Sequence, residues 1–293
     1  MPSVEVRGLS KWYSSKKALS DVSFTVEDGE IVGVIGPNAA GKTTLIRILS
    51  CLLKPDSGEV RIFGKKPCQV KGLFALLPQD VKAHFYTLTP RDYAYHYLRM
   101  RGLGREEARR TADDAMKLFG IDYADEPMST LSGGMVRRAL LAMVLSADAG
   151  LYFLDEPTVG LDVENRLKLW DVIRKKAEES TIVLTSHYLN EISSVCDRVL
   201  LLKGGRVRAF GRPEEIAREY LSGLHSKVVA FGDVTLEGFL LKKAGRNTYI
   251  YARSGHEEKE IMEALESAGI PFRRESLTIE DVFIAGGLGD GDR

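Results

Sequence analysis

The chain has 293 residues, 44% of them apolar, and Lys plus Arg and Asp plus Glu each total 41, so its net charge is zero. That is enough material for one large core, or one core with a smaller appended domain. It excludes a global field drawing the chain to DNA, RNA or an anionic membrane surface.

Between residues 4 and 26 alternating stretches such as Val22-Ser23-Phe24-Thr25-Val26 end at the turn Glu27-Asp28-Gly29, which predicts an N-terminal antiparallel sheet. Ile31-Val32-Gly33-Val34-Ile35 is nearly continuous in apolar residues, as expected for a strand buried on both faces, and residues 44–53 have helical spacing. Residues 89–120 are rich in helix formers and mixed charge, punctuated by Pro90, Gly102 and Gly120, and predict a mostly helical insertion. Residues 150–154 and 181–185 read as buried parallel strands separated by a helix over about 164–178. After about Tyr220 come short alternating strands, a charged helix over about 257–268 and a glycine-rich, flexible tail at 286–293. The expected organisation is therefore an α/β core over 1–220, with its helical part at about 87–145, and an accessory module at 221–285.

Three features limit where the chain works. The N-terminus has no apolar run of the signal-peptide kind, and the longest apolar stretch, 139–154, is interrupted by Asp148, so the chain is not expected to cross a bilayer by itself. Cys51, Cys68 and Cys196 show no ligand spacing. All three read as ordinary thiols in a reducing compartment, without structural zinc.

Gly36-Pro37-Asn38-Ala39-Ala40-Gly41-Lys42-Thr43-Thr44 matches G-x-x-x-x-G-K-[ST] between a predicted strand and a predicted helix. In such a loop successive N–H groups and the helix N-terminus face phosphate oxygens, while Lys42 adds a point charge and Thr43 a magnesium-ligating hydroxyl. Leu151-Tyr152-Phe153-Leu154-Asp155-Glu156 delivers adjacent carboxylates at the end of an apolar strand, where open parallel sheets bind ligands. Asp155 there suits Mg2+, and Glu156 suits a general base acting on water; the alternative is a solvated acidic turn. Leu131-Ser132-Gly133-Gly134 precedes a helical run, so Ser132, Gly133 and Gly134 sit where a helix N-terminus presents unpaired N–H groups to an anion. In a symmetric dimer each ATP would meet one phosphate site of each kind.

In order and spacing, residues 4–220 resemble the ATP-binding subunit of an ATP-binding-cassette (ABC) transporter. By that resemblance residues 36–44 are the Walker A loop, 131–135 the signature, 151–155 Walker B, and Glu156 the catalytic glutamate. Tyr13 resembles the aromatic that stacks on adenine. Gln79 resembles the Q-loop residue, with catalytic and magnesium-binding roles, Asp162 the D-loop aspartate and His187 the switch histidine. Taken singly, Tyr13 also suits core packing, Gln79 a loop amide, Asp162 a helix N-cap, and His187 a hydrogen-bonded strand end.

The fold implied is an α/β P-loop NTPase (ABC ATPase) core with an N-terminal antiparallel β subdomain, a helical insertion, and a small C-terminal α+β module. The function implied is Mg-ATP binding and hydrolysis powering an exporter, since the Leu131-Ser132-Gly133-Gly134-Met135 form and the C-terminal module resemble ABC-2-type exporter ATPases. The implied partners are a separately encoded transmembrane permease, met through the insertion, and a second ATP-binding subunit, with no nucleic acid. The implied location is cytoplasmic, peripheral on the inner face of the cell membrane. Other readings are a soluble cassette ATPase acting on nucleic acid or ribosomes, and a nucleotide-binding regulator that does not hydrolyse. Ala39 departs from the family's usual glycine and costs about 1–2 kcal/mol if its φ is positive. In the C-terminal module Thr278 and Asp281 have capping-box spacing and open a short helix whose Val282 and Phe283 would dock on the module.

Overall fold

The computed structural model describes residues 2–79, 87–187 and 189–285; the 286–293 tail lies outside them. The chain divides into two units, Met1–Phe210 and Gly211–Arg293.

In the first unit β1 (Val4–Tyr13) and β2 (Lys16–Val26) pair antiparallel from Val4↔Val26 to Tyr13↔Lys16. β3 (Ile31–Ile35) is buried along its whole length, and α1 (Lys42–Leu49) follows the 36–41 loop. β4 (Ser57–Ile62) pairs antiparallel with β1, giving a three-stranded sheet of order β2-β1-β4. β5 (Phe74–Leu77) precedes three helices, α2 (Pro90–Met100), α3 (Arg105–Leu118) and α4 (Gly133–Leu145). Strands and helices then alternate through β6 (Leu151–Asp155), α5 (Val163–Ala177), β7 (Thr181–Ser186), α6 (Leu189–Val195), β8 (Arg198–Lys203) and β9 (Arg206–Gly211). The larger sheet has the order β5-β6-β7-β3-β8-β9, with β5–β6, β6–β7, β7–β3 and β3–β8 parallel.

Helix α1 has an apolar neighbour on either side. Its Leu45, Ile46, Ile48 and Leu49 share one buried cluster with Val4, Val6, Leu19 and Val26 of the antiparallel sheet and Val34, Phe153, Val183 and Leu200 of the parallel sheet. Helix α1 starts at Lys42 and ends at Leu49, shorter than the periodicity of 44–53 predicts, because Cys51 turns into the left-handed region at φ 58°. Cys51 is joined to Cys68 in a disulfide across a Cα–Cα distance of 5.3 Å, which corrects the expectation of three ordinary thiols and removes the cysteine argument for a reducing compartment. Only Cys196 is free, and burial pushes its thiol far up. The pairing depends on the turn after α1 meeting the segment before β5, a proximity that sequence spacing does not reveal.

The helices of the insertion pack together through small residues. Helix α2 begins with Pro90 after Thr89, whose backbone N–H donates to Asp92 Oδ2 at 3.0 Å while the Asp92 N–H donates to Thr89 Oγ1 at 3.1 Å. Ala108, Ala112 and Ala115 of α3 are buried, letting α3 lie close against α2 and α4.

The second unit contains α7 (Pro213–Tyr220), β10 (Ser226–Phe231), β11 (Leu240–Ala244), β12 (Asn247–Ala252), α8 (Gly255–Ser267), β13 (Phe272–Glu275) and α9 (Ile279–Ile284). Its antiparallel sheet has the order β11-β12-β10-β13. Val228, Ala230, Ile250 and Ala252 meet Ile261 and Leu265 of α8 in a separate core. The division falls at Phe210/Gly211, ahead of the boundary expected at 220, because α7 buries Ile216 and Ala217 and packs against α9.

A buried ionic network fixes α9. The N–H of Thr278 donates to Asp281 Oδ2 at 2.7 Å, and Ile279 and Val282 are buried while Phe283 is half-buried. Asp281, fully buried, also accepts from Lys227 Nζ at 2.9 Å and from the Tyr251 hydroxyl at 2.9 Å. Burial and the adjacent carboxylate raise the Tyr251 phenol. Removing one partner of a buried ion pair strands the other charge, at a cost of about 3–5 kcal/mol. Lys227→Met is therefore expected to make the second unit melt early in urea or heat, as a transition separate from that of the first unit; an unchanged unfolding profile would show that the pair anchors nothing.

Candidate functional site

The loop between β3 and α1 is gripped by backbone contacts. The N–H of Gly205 donates to the Ala40 carbonyl at 3.1 Å, and the N–H of Ser20 donates to the Gly205 carbonyl at 2.8 Å. Gly41 starts α1 at φ 109°, and a Cβ there would lie 2.6 Å from the Ala18 carbonyl, so only glycine fits. Ala39 takes φ 62°, the left-handed region, and its side is exposed. The methyl thus sits where the backbone disfavours it, at a cost of about 1–2 kcal/mol.

A cleft of about 360 Å³ lies over this loop, lined by Tyr13, Lys16, Asn38, Ala39, Ala40, Gly41, Lys42, Thr43, Thr44, Gln79 and Glu156, among others. Tyr13 keeps 45% of its surface exposed at the end of β1. Lys42 is only 7% exposed and donates to the carbonyls of Gly36 at 2.8 Å and Pro37 at 3.3 Å, with Glu156 Oε1 at 4.0 Å. Burial lowers its ammonium pKa, and Glu156 and Asp155 oppose that shift.

The strand ends bring the acids into the same place. Asp155 and Glu156 are 1% and 5% exposed. Thr185 Oγ1 donates to Asp155 Oδ1 at 2.6 Å and accepts from the Glu156 N–H at 2.8 Å, as the parallel register Asp155↔Thr185 requires. Thr43 Oγ1 lies 3.2 Å from Gln79 Oε1 and 3.5 Å from Asp155 Oδ1. Burial raises the Asp155 carboxyl, with hydrogen bonds from Thr185 and Thr43 opposing it. Glu156 leaves the strand at φ 52°, and its Oε2 lies 2.7 Å from His187 Nδ1. A strained non-glycine residue at a strand end, held by its surroundings, is a feature of functional sites.

Ser132, Gly133 and Asp162 are exposed and are not among the groups around Lys42. Ser132 caps α4 by accepting from the Met135 N–H at 3.3 Å, and Asp162 caps α5 by accepting from the Asn165 N–H at 2.9 Å. The two caps belong to neighbouring segments. A Cβ on Gly134 would stand 2.6 Å from the Gly160 carbonyl, so the start of α4 touches the turn before Asp162 backbone to backbone.

Two residues at the site were not singled out from the sequence. Thr185 is a hydroxyl near the end of β7, directly opposite Asp155 in the parallel register. Arg137 is a charge on the same helical stripe as Leu140, Leu141 and Val144, and a charge in an apolar stripe demands buried partners. The stripe around Arg137 was visible in the sequence, whereas the role of Thr185 needs the register of the sheet.

Replacing Ala39 by glycine removes the left-handed penalty, less the extra freedom glycine gives the unfolded chain. Ala39→Gly is expected to raise the melting midpoint by up to about 2–4 °C. A lower midpoint in calorimetry would show that the methyl makes a useful contact.

Comparisons with known proteins show the family of the chain. A family profile described as ABC transporter matches residues 19–159. The daunorubicin resistance ATP-binding protein DrrA3 of Streptomyces coeruleorubidus is 38% identical over 74% of this chain and 70% of its own length. The Nod factor export ATP-binding protein I of Rhizobium etli is 29% identical over 97% of this chain and 93% of its own. A solved dimeric ATP-binding cassette, in a post-hydrolysis state with ADP and Pi bound, superposes with a TM-score of 0.65 at 25% identity, covering 71% of this chain and 98% of that one. With this level of identity and coverage, the chain belongs to the ABC transporter family, as an ATP-binding, ATP-hydrolysing subunit.

Proposed function

We propose that the groups around Lys42 form the hydrolytic half-site of an exporter ATPase, completed by Ser132, Gly133 and Gly134 of a second copy of the chain. The observation that carries this is the linkage of Lys42, Thr43, Gln79, Asp155, Glu156 and His187 by contacts of 2.7–4.0 Å around one cleft. Glu156 is the general base toward water, and His187 holds its carboxylate in place. Lys42 exchanges loop carbonyls for phosphate oxygens when ATP enters, and the 36–44 backbone presents N–H groups to the same anion. Tyr13 offers its exposed ring to adenine.

The oxygens of Thr43, Gln79 and Asp155 form a hard donor set that suits Mg2+. Bound there, the ion would neutralise charge on the phosphates. Asp162 stands beside the signature turn, where it would approach the partner copy. Among the described residues no helix is long and apolar enough to cross a membrane. The names of the relatives, ATP-binding proteins of resistance and export systems, support a separately encoded membrane-spanning permease as the partner that receives the work. The insertion near 87–120 is the proposed contact. The export and drug-resistance names of the relatives favour export over import. Such a subunit sits on the cytoplasmic face of the membrane, where ATP is supplied, with no role for nucleic acid.

Lys42→Ala deletes a charge-assisted contact of about 1.5–3 kcal/mol and should weaken Mg-ATP binding about tenfold or more; a titration giving wild-type affinity would contradict this role. Glu156→Gln blocks the base without removing the phosphate contacts. In light scattering it should be a monomer alone and a dimer with Mg-ATP. A variant that binds Mg-ATP yet stays monomeric would overturn the two-copy site.

A further inference from the structure

Arg137 joins segments that are far apart in sequence. It is 8% exposed, and its guanidinium meets four carbonyls: Nη1 donates to Pro78 at 2.9 Å and Gln79 at 3.1 Å, Nη2 to Asp155 at 2.7 Å and Glu156 at 2.8 Å. These acceptors stand at or beyond the last rungs of the sheet, Leu77↔Leu154 between β5 and β6 and Asp155↔Thr185 between β6 and β7. The strands therefore hand their trailing backbone to one side chain. A planar guanidinium can serve two chain segments at once in fixed geometry, which a single flexible ammonium cannot do.

The segments it grips carry the chemistry. Gln79 contacts Thr43, while Glu156 faces Lys42 and His187. The helix that carries Arg137 is capped by Ser132, and its exposed tip adjoins the turn at Gly160. Its neighbour Arg138 donates to Asn165, the residue whose N–H and side-chain amide bind Asp162. The start of α4 thus has one rigid link to the hydrolytic strand ends and another to the cap of α5. A charge kept only to fill space would not need acceptors on both segments.

We infer that Arg137 is a positioning residue that couples the tip of α4 to the placement of Gln79 and Glu156 in the same chain. An anion met at Ser132 and Gly133 is felt at the hydrolytic carboxylate, and nucleotide bound at Lys42 and Thr43 is felt along α4. The inference rests on the proposed half-site for what α4 meets, and it adds the route by which the two phosphate sites of one chain sense each other.

The test compares the full-length wild type, Arg137→Lys and Arg137→Met. The readouts are thermal midpoint, Mg-ATP affinity, steady-state ATP turnover, and amide hydrogen exchange of α4 peptides with and without Mg-ATP. In Arg137→Lys, affinity and KM should stay within about threefold of wild type while kcat falls by about 10²-fold, the scale expected when reacting groups are misplaced by about 1 Å. Mg-ATP should slow exchange along α4 in the wild type and leave it unchanged in the variant. Wild-type turnover in the variant, persistent protection of α4, or losses of kcat, affinity and midpoint in proportion would each overturn the coupling. If Arg137→Met does not fold, the lysine variant alone decides. A wild type that binds Mg-ATP without turning it over would defeat the hydrolysis reading, while the exchange comparison would still judge Arg137.

Discussion

The loop over residues 36–42 cannot move independently of the strands around it, and most of the first unit follows from that. Ala40 is bonded to Gly205, Gly205 to Ser20, and Gly41 lies against Ala18 with no space for a side chain. One end of this chain of contacts is in the antiparallel sheet and the other follows β8 of the parallel sheet. Behind the loop, α1 is the common apolar filling of both sheets. A phosphate-binding loop needs N–H groups aimed before the ligand arrives, and here the aim is set by the cores on either side.

Around that loop the chain places groups that are unfavourable one by one. Lys42, Asp155 and Glu156 are nearly dry. Burial opposes the charged forms of Lys42 and Asp155 in opposite pKa directions; the charges of Glu156 and Asp155 offset part of the penalty for Lys42, and hydrogen bonds from Thr185 and Thr43 offset part of it for Asp155. Ala39 and Glu156 hold positive φ without being glycine. Such choices persist where rigid elements over-determine them: Asp155 ends the fully buried β6 and Glu156 directly follows it, while Lys42 opens α1 and Ala39 lies in the loop between the fully buried β3 and α1.

Sequence logic reached the parts of this arrangement whose signal is local. The run of five apolar residues at 31–35, the glycine-lysine-threonine loop and the strand ending in Asp155-Glu156 each have a physical cause within a few residues. Reading failed where the cause lies across the fold. Strands β4 and β9 have mixed patterns, and β5 and β8 offer apolar runs of only four residues that suit a buried helix turn as well, so all four acquire meaning only from their neighbours in the sheets. The end of α1 is set by a left-handed Cys51 tied to Cys68, and the extra helix in the second unit by the packing of α7 on α9. Thr185 and Arg137 escaped notice because serine-like hydroxyls and helix arginines are common, and their roles appear only when register and depth are known.

The second unit keeps its own apolar centre at Val228, Ile250 and Ile261 and its own ionic anchor at Lys227 and Asp281. Neither uses a residue of the nucleotide cleft. Selection on turnover therefore does not dictate that unit's interior, and selection for a well-formed accessory module does not disturb the phosphate loop. The two units of the chain can drift at different rates, and inherited variants in the second should alter how much of the protein accumulates before they alter how fast each molecule works.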